Sequence, residues 1–168
     1  MAEAQYVIFS LGTQKYCMQL SKIYGIEQSY VLVPVPAAAE HIKGLIHMRG
    51  YLAPVYNLRE KLQIDEPSLT EEKQLLISET HDIFFGFEVD DVLGIQTVSE
   101  TDVMEIPIVV KSDETDYLES VIRVPSADGT ESEIILCISV DHIMSEVDFE
   151  NIKRSLEESG NEEEEMIR

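Results

Sequence analysis

The side chains of this 168-residue chain that could perform acid–base, nucleophilic or metal chemistry are four histidines, two cysteines and the acidic residues beside them. Two histidines have an aspartate as chain neighbour, in the pairs His81-Asp82 and Asp141-His142. On a strand, adjacent side chains point to opposite faces, so neither pair can act as a unit. No serine or cysteine is spaced to complete a triad, and the histidines lack the spacing of a zinc site. The sequence therefore predicts no enzyme activity, no metal and no cofactor.

Cys17 and Cys137 lie in apolar stretches far apart in the chain. They lack the close spacing of a redox or zinc motif. Free cysteine is among the most frequently buried residue types, so both are expected to be buried thiols.

The formal net charge of −21 is the most unusual feature of the composition. Such a surface repels nucleic-acid phosphates and anionic lipids, and it attracts basic patches on a partner protein, most strongly at low salt. Six glutamates lie within residues 157–165, so this end is expected to be a solvated tail that could compete for a basic site on a partner. Residues 4–11 are too short for a signal core or a membrane span, so we expect a cytoplasmic protein without membrane insertion.

Short runs rich in Val, Ile, Tyr and Phe, separated by polar turns, predict an all-β protein. In the run that contains Phe87, apolar side chains alternate with Glu88 and Asp90, as in a strand with one buried face. Hairpins are predicted for residues 5–11 with 16–20, 44–48 with 52–56, 74–78 with 83–89, and 117–124 with 134–140. A further extended run covers residues 23–33, and a strand over residues 92–98 follows a kink at Asp90-Asp91.

Two helices complete the prediction. Asn57 can cap a short helix over residues 58–62, and Phe149, Ile152 and Leu156 have helical spacing near the C-terminus. A polar stretch at residues 63–72 separates halves of similar strand–turn–strand–helix order. We therefore expect a domain over residues 1–148, made of two small β-barrels divided near residues 63–72, and a C-terminal helix with an acidic tail over residues 149–168.

Four motifs, in the same order, resemble the CheW-type chemotaxis adaptors. The central motif runs Ile42-Lys43-Gly44, then Met48-Arg49-Gly50, then residues 54–58, and is similar to G-V-x-N-L-R-G-x-x-x-P-V-x-D-L. Residues 5–20 resemble the opening hairpin of the family, residues 33–36 its T-P-V-P approach, and residues 86–92 its G-x-x-V-D-x-V step. The match covers residues 4–145 and departs from the pattern at His47, Met48 and Asn57, among other positions.

The resemblance implies two intertwined five-stranded SH3-like barrels with an apolar seam between them, and no catalysis. It also implies two partners, the regulatory domain of a CheA-type histidine kinase and the cytoplasmic hairpin tip of chemoreceptors. The adaptor would couple receptor to kinase, be monomeric when isolated, and be recruited from the cytoplasm to membrane receptor arrays. At the matching positions, the receptor-binding residues implied by the resemblance are Ile23, Gly44, Arg49, Gly50, Val89 and Val92.

Arg49 has two interpretations. Many members of the family pair the signature Arg with a Glu at the position that Gly25 occupies here, and Glu27, on the same strand face, is the expected substitute. Arg49 could form a structural ion pair with Glu27, or it could contact a receptor or kinase directly. Both hold if the pair positions the surrounding surface.

Five apolar residues on either side of Tyr30 could belong to the core or to an interaction face, and strand alternation does not decide between the two roles. The set comprises Ile23, Ile26, Val31, Val33 and Val35.

The competing function is a β-barrel interaction module of another kinase signalling array, for example in surface motility. A small-molecule-binding barrel would need a pocket of convergent polar groups, which the sequence does not indicate.

Overall fold

The structure, a computed structural model, describes residues 2–36, 41–80, 82–126 and 128–143. Strands dominate this part of the chain, and the predicted all-β fold class is confirmed. The strands are β1 (Glu3–Leu11), β2 (Gln14–Gln19), β3 (Gly25–Glu27), β4 (Val33–Pro34), β5 (Ile42–Met48), β6 (Tyr51–Asn57), β7 (Gln74–Thr80), β8 (Ile83–Val89), β9 (Asp91–Ser99), β10 (Val103–Met104), β11 (Leu118–Pro125) and β12 (Ser132–Ile138). The α-helices are α1 (Leu58–Lys61) and α2 (Val140–Ile143), and 3-10 turns cover Leu20–Lys22, Glu100–Asp102, Ile108–Val110 and Asp113–Thr115.

The strands form two sheets. The central sheet has the order β3-β7-β8-β6-β5-β4, and the terminal sheet has the order β10-β11-β12-β2-β1-β9. Among the described residues, each sheet has five strands of three residues or more and one two-residue strand, β4 or β10. Each sheet also contains one parallel pair, β6 with β8 and β2 with β12, and the other pairs are antiparallel. This arrangement agrees with the two five-stranded barrels that the resemblance implies.

The two sheets are interleaved along the chain. The chain leaves the terminal sheet between β2 and β3 and returns to it between β8 and β9, at Asp90. A division near residues 63–72 is wrong for the sheets, because β6 and β7, on either side of that stretch, belong to the same sheet. Residues 63–72 are polar because they cross the surface, where Thr13 donates two hydrogen bonds to Glu66 from its backbone N and its hydroxyl.

The four predicted hairpins are all present, as β1–β2, β5–β6, β7–β8 and β11–β12. The extended run predicted for residues 23–33 is shorter and interrupted. It contains only β3 and the start of β4, with residues 28–32 between them outside any strand. Pro34 lies in β4, at the edge of the central sheet, where its missing N–H leaves no partner unsatisfied.

Among the residues that the structure describes, three apolar clusters hold the fold together. The largest joins the two sheets and includes Phe9, Tyr56, Phe85 and Phe87, all essentially inaccessible to water. Two smaller clusters each fill one barrel, around Cys17 in the terminal sheet, and around Ile46, Met48, Ala53, Val55, Leu75 and Ile77 in the central sheet. Each fully buried Phe contributes roughly 1.5–3 kcal/mol relative to an exposed one.

Strand β8 differs from the sequence prediction of one polar, solvent-facing side. Phe85, Phe87 and Val89 are buried as expected, but Glu88 and Asp90 are buried too. The reason is position, because β8 lies between β7 and β6 inside the sheet and has an apolar cluster on each face. Phe85, Phe87 and Val89 belong to the cluster between the sheets, and Phe84 packs against the cluster inside the central barrel. Burial of these two carboxylates requires charged or hydrogen-bonding partners.

Helix α1 begins as predicted. The Asn57 side chain accepts a hydrogen bond from the backbone N of Glu60 at 3.2 Å, which caps the first turn. The C-terminal helix predicted from Phe149, Ile152 and Leu156 lies outside the described residues.

Candidate functional site: an interaction surface on the central barrel

The turn between β5 and β6 presents Arg49 to solvent. Arg49 and Gly50 have φ values of 49° and 84°, and Met48 pairs with Tyr51 across the turn. This left-handed backbone suits Gly, Asn or Asp and is unfavourable for Arg, so backbone geometry alone does not favour Arg49. The side chain is 69 % exposed. Its charge is therefore available at the surface.

Arg49 and Glu27 approach each other across the mouth of the central barrel. The distance from Arg49 Nη2 to Glu27 Oε1 is 3.8 Å, within range of an ion pair but too long for a hydrogen bond. Because the guanidinium is mostly exposed, such a pair contributes only about 0–1 kcal/mol to stability. The contact is therefore loose, unlike the bidentate pair considered from the sequence.

The other residues implied by the resemblance divide into surface and core positions. Ile23 and Val92 are half-buried and pack against the cluster between the sheets. Val89 is 0 % exposed, so its side chain supports the core and offers a partner no contact area. Gly50 lies in the exposed turn beside Arg49. The structure thus places Arg49 with Gly50 in one turn, and Ile23 with Val92 against one shared cluster.

Gly44 holds the edge strand β4 against β5. A Cβ at this position would lie 2.4 Å from the carbonyl oxygen of Val33 and 3.1 Å from Leu32 Cδ1. Only glycine permits this close approach of two backbones. Gly44 therefore supports the segment that presents Val33 rather than contacting a partner with a side chain.

Most of the apolar residues on either side of Tyr30 lie at the surface and not in the core. Val31 and Val33 are 81 % and 58 % exposed, and Ile26 and Val35 are each 38 % exposed. Ile23 is the member of the set that packs against the core. These exposed apolar side chains follow the segment from β3, at one edge of the central sheet, to β4, at the other edge, where Pro34 lies opposite Gly44.

Glu88 is a buried carboxylate that organises the same segment. It accepts hydrogen bonds from Lys43 Nζ at 2.6 Å and from Tyr30 Oη at 2.8 Å, and Lys73 Nζ lies 3.5 Å away. Burial raises the pKa of Glu88, but the hydrogen bonds from Lys43 and Tyr30 outweigh it and leave the pKa below its ordinary value. Through Tyr30, this carboxylate fixes the segment that carries the exposed Val31.

Asp90 forms the junction between the two sheets. Its carboxylate accepts hydrogen bonds from both Nε and Nη2 of Arg59 and from the backbone N of Gly12, 2.7 Å away. Thr70 donates a hydrogen bond to its carbonyl oxygen. Burial raises the pKa of Asp90, but the hydrogen bonds from Arg59 and from the Gly12 N–H lower it by more. The pKa of Asp90 is therefore below its ordinary value. Asp90 thus ties the β1–β2 turn to helix α1.

Histidine, cysteine and acidic side chains that could perform acid–base, nucleophilic or metal chemistry make structural contacts instead. Ser139 Oγ lies 2.9 Å from His142 Nδ1 and accepts from the backbone N of His142, so it caps helix α2. Asp141, in this helix rather than in a strand, pairs with Lys22. Cys17 and Cys137 are buried, free thiols opposite each other in the β2–β12 pair. The hydrogen bond between them and burial both raise the pKa of Cys17, which disfavours a reactive thiolate.

Within residues 2–36, 41–80, 82–126 and 128–143, no group of three or more His, Cys, Asp or Glu side chains is arranged to hold a metal ion. Over the same ranges, every helix is too short, or too polar, to cross a bilayer.

Aromatic residues line the barrel mouth beside Arg49. Phe84 lies between Tyr24 and Tyr51, with ring centroids 5.0 Å and 4.9 Å from its own. Phe84 packs on the cluster inside the central barrel, whereas the two tyrosines are each 56 % exposed. We call Tyr24, Tyr51 and Phe84 the aromatic rim.

Comparison with known proteins shows the family to which the chain belongs. The family model described as "CheW-like domain" matches residues 5–148. The chain belongs to the CheW-like domain family. The motif residues singled out from the sequence lie within this match, including the Arg49 turn and the β8–β9 junction.

Several curated relatives carry the CheW name. The chain is 27 % identical over 117 residues to the chemotaxis protein CheW of Bacillus subtilis, covering 70 % of this chain and 75 % of the relative. It is 26 % identical over 138 residues to the chemotaxis protein CheW of Treponema pallidum, covering 80 % and 79 %. A shorter similarity, 25 % over 88 residues, links it to the protein PilI of Pseudomonas aeruginosa, covering 52 % and 49 %.

A solved structure supports the fold. The crystal structure of the scaffolding protein TtCheW from Thermoanaerobacter tengcongensis superposes with a TM-score of 0.73 at 20 % identity, covering 86 % of this chain and 90 % of that chain. At this identity the likeness concerns the fold. The CheW-like arrangement of two interleaved barrels is thus shared with a solved protein.

Three features of this CheW-like domain were not predicted from the sequence. Strand alternation predicts a solvent face for Glu88 and Asp90, and no motif points to Arg59 as the partner of Asp90. A signal was present, because each carboxylate lies within an otherwise apolar strand run and would need a partner if that strand were central. The aromatic rim, however, joins three separate segments and has no local sequence signal.

Proposed function

We propose that this CheW-like chain is a non-catalytic chemotaxis adaptor. It couples transmembrane chemoreceptors to a CheA-type histidine kinase by binding the cytoplasmic tip of the receptor and the regulatory domain of the kinase. The observation that carries the proposal is the family match over residues 5–148, which the curated CheW relatives support. Cys17 is buried, Ser139 caps helix α2, and Asp141 forms an ion pair. These structural contacts are in keeping with a role in binding rather than catalysis.

In this proposal, the receptor-binding surface comprises Arg49, Gly50, Ile23 and Val92. Gly44 and Val89 support this surface without contacting the partner. Gly44 allows β4 to approach β5 closely, and Val89 is part of the core. The Glu27–Arg49 pair acts as a weak positional contact within this surface. In the same proposal the domain spans residues 1–148, and the acidic residues 157–165 follow it in the chain. The isolated protein is a cytoplasmic monomer that joins receptor arrays at the membrane through its partners.

A second candidate is an adaptor in another kinase signalling array, such as one that controls surface motility. The observation behind this candidate is the similarity to the P. aeruginosa protein PilI, a relative whose name differs from that of the CheW proteins. The same surface would then receive a different receptor and kinase.

Affinity capture from the native cytoplasm tests the proposal. The tagged chain is expected to recover a CheA-type kinase together with a chemoreceptor. Addition of the purified chain to kinase and receptor fragments should then change the rate of kinase autophosphorylation. Recovery of neither partner would overturn the proposal, and recovery of a kinase from a motility array would favour the second candidate. Arg49→Ala is the informative variant, because the cation is exposed.

A further inference from the structure

We infer that the aromatic rim is a docking site for a basic side chain of the partner protein. The inference rests on the proposed adaptor function and adds the chemistry by which one partner is recognised. The rim consists of Tyr24, Tyr51 and Phe84, at the mouth of the central barrel.

The three rings come from segments that are distant in sequence. Tyr24 immediately precedes β3, Tyr51 begins β6, and Phe84 lies in β8. The Tyr24 and Phe84 rings meet edge to face at 68°, and the Tyr51 and Phe84 rings are tilted by 45°. Aromatic ring faces carry partial negative charge, and more than half of each tyrosine is exposed to solvent. The rim is therefore a rigid surface built by the barrel rather than by one flexible loop.

Phe84 alone accounts for the structural role of the rim. It is the ring of the three that packs on the cluster of the central barrel. Each tyrosine leaves more than half of its surface in water. Large aromatic side chains that are exposed together on a rigid element are the usual anchors of protein interfaces, where Tyr and Arg are enriched.

Two carboxylates frame the rim. Glu79 is the cross-strand partner of Phe84, so its side chain lies on the same face of the hairpin, and it is exposed. Glu27 lies on the β3 side, 3.8 Å from Arg49. Arg49 offsets one of these charges, and the chain as a whole carries −21. The combination of ring faces and an excess of carboxylate selects a cation.

The occupant is therefore a Lys or Arg side chain on a different protein. A second copy of this chain is disfavoured, because two surfaces of charge −21 repel each other. A purely aliphatic anchor would bury the rings but would bring no positive charge to Glu79, the exposed carboxylate opposite Phe84. A guanidinium or ammonium satisfies both the ring faces and the carboxylates.

The test compares the variants Tyr24→Ala, Tyr51→Ala, Tyr24→Phe and Tyr51→Phe with the wild type. Binding to the purified kinase regulatory domain and to a receptor tip fragment is measured by calorimetry at low and moderate salt. Each alanine variant should weaken binding to one of the two partners roughly tenfold, while each phenylalanine variant keeps most of the affinity because the ring face remains. Leu69→Ala, at an exposed site in the 63–72 stretch, is the control and should bind as the wild type does. Thermal unfolding establishes that all variants are folded.

The outcomes separate this inference from the proposed function. If the wild type binds both partners and the alanine variants bind equally well, the inference is wrong and the adaptor function stands. If the wild type binds neither, the proposed function fails, and a photo-crosslinking residue at Tyr51, introduced into the full chain in its native cells, decides the inference. A cross-linked peptide containing Lys or Arg, whose neutral replacement abolishes the adduct, supports it. An adduct without a basic residue, an adduct with a second copy, or no specific adduct overturns it.

Discussion

Asp90 and Asp102 each accept hydrogen bonds from an arginine, but the Asp90 pair is far less exposed to water than the Asp102 pair. Asp90 is buried and is held by Arg59, whereas Asp102 and Arg123 are both partly exposed. A buried ion pair is costly to break, because the remaining charge loses its partner without regaining full hydration. At the surface, water replaces a lost partner.

We therefore expect Asp90→Asn to lower the free energy of unfolding by about 3–5 kcal/mol. The Asn side chain retains the shape of Asp but leaves the Arg59 guanidinium without its countercharge. Urea unfolding followed by circular dichroism measures the change. Asp102→Asn is the matched control and should cost about 1 kcal/mol or less. Equal effects of the two variants would show that the Asp90 junction does not stabilise the fold.

The same junction predicts how stability depends on pH. The pKa values of Asp90 and Glu88 are both lowered in the folded protein. Their contribution is complete above the unfolded-state values of about 3.9 and 4.3, and is lost as the pH falls through the lower folded-state values.

The change on acidification is measured as the unfolding free energy at pH 6, 4 and 3. In the double variant Asp90→Asn with Glu88→Gln, the stability should fall less steeply over this range than in the wild type. The comparison is needed because 33 acidic residues repel one another at neutral pH, and acidification relieves that repulsion. Parallel curves for the two proteins would contradict the prediction.

Arg49 should matter little for stability. We expect Arg49→Ala to change the unfolding free energy by about 1 kcal/mol or less, since the side chain is exposed and Glu27 is not hydrogen-bonded to it. Arg49→Asn also removes the cation but suits the left-handed backbone of the turn, so it should be at least as stable as Arg49→Ala. Thermal unfolding measures both. A loss of several kcal/mol in either would favour the structural interpretation of Arg49.

At the scale of single elements, β4 depends on its neighbour β5. It has two residues, lies at the edge of the central sheet, and approaches β5 closely at Gly44. We expect Gly44→Ala to lower the unfolding free energy by roughly 1–3 kcal/mol, because the new methyl group would collide with the backbone of Val33.

Gly25→Ala is the control, since no atom lies within 4 Å of the position that its Cβ would take. Hydrogen exchange should show that Gly44→Ala exposes the amides of residues 31–35 while the β7–β8 hairpin stays protected. Unchanged exchange in residues 31–35 would mean that β4 adapts to the methyl group.

Elements that depend on neighbouring residues could be predicted from the sequence. The hairpins follow from alternating apolar residues around short turns, and the Asn57 cap follows from the side chain that can accept the first free amides. The environment of Glu88 could not be predicted, because alternation gives the two faces of a strand but not whether a second layer covers the polar one. Its partners Tyr30 and Lys43 lie 58 and 45 residues away.

At the scale of the whole molecule, charge controls association. The rate of association with a basic partner domain should fall roughly tenfold between 20 mM and 500 mM salt, because screening removes the long-range attraction.

Deletion of residues 160–168 should raise the affinity at low salt if the tail competes for the basic surface of the partner. Stopped-flow mixing and calorimetry at two salt concentrations measure both effects. If the full chain and the chain without residues 160–168 bind the partner with equal affinity at both salt concentrations, the tail does not compete for the basic surface.

Assignment of strands to sheets was the part of the fold that local patterns could not supply. The pairs β2–β12 and β6–β8 are parallel and join distant residues, such as Cys17 with Cys137. The polar stretch at 63–72 has the composition of a domain boundary, yet it connects two strands of one sheet. Family resemblance supplied the intertwined arrangement. The candidate site followed only in part, because Arg49 lies at the surface as expected, whereas Val89 lies in the core.

The interleaved order of the sheets determines when each barrel can form during synthesis. All strands of the central sheet lie between residues 25 and 89, so that barrel can close while the ribosome is still translating the rest. The β1–β2 hairpin leaves the ribosome first but lacks its neighbours β9 and β12 until much later. Meanwhile its unpaired edges are open to wrong partners. Because acidic residues outnumber basic ones along the chain, unfinished copies repel one another electrostatically during this interval.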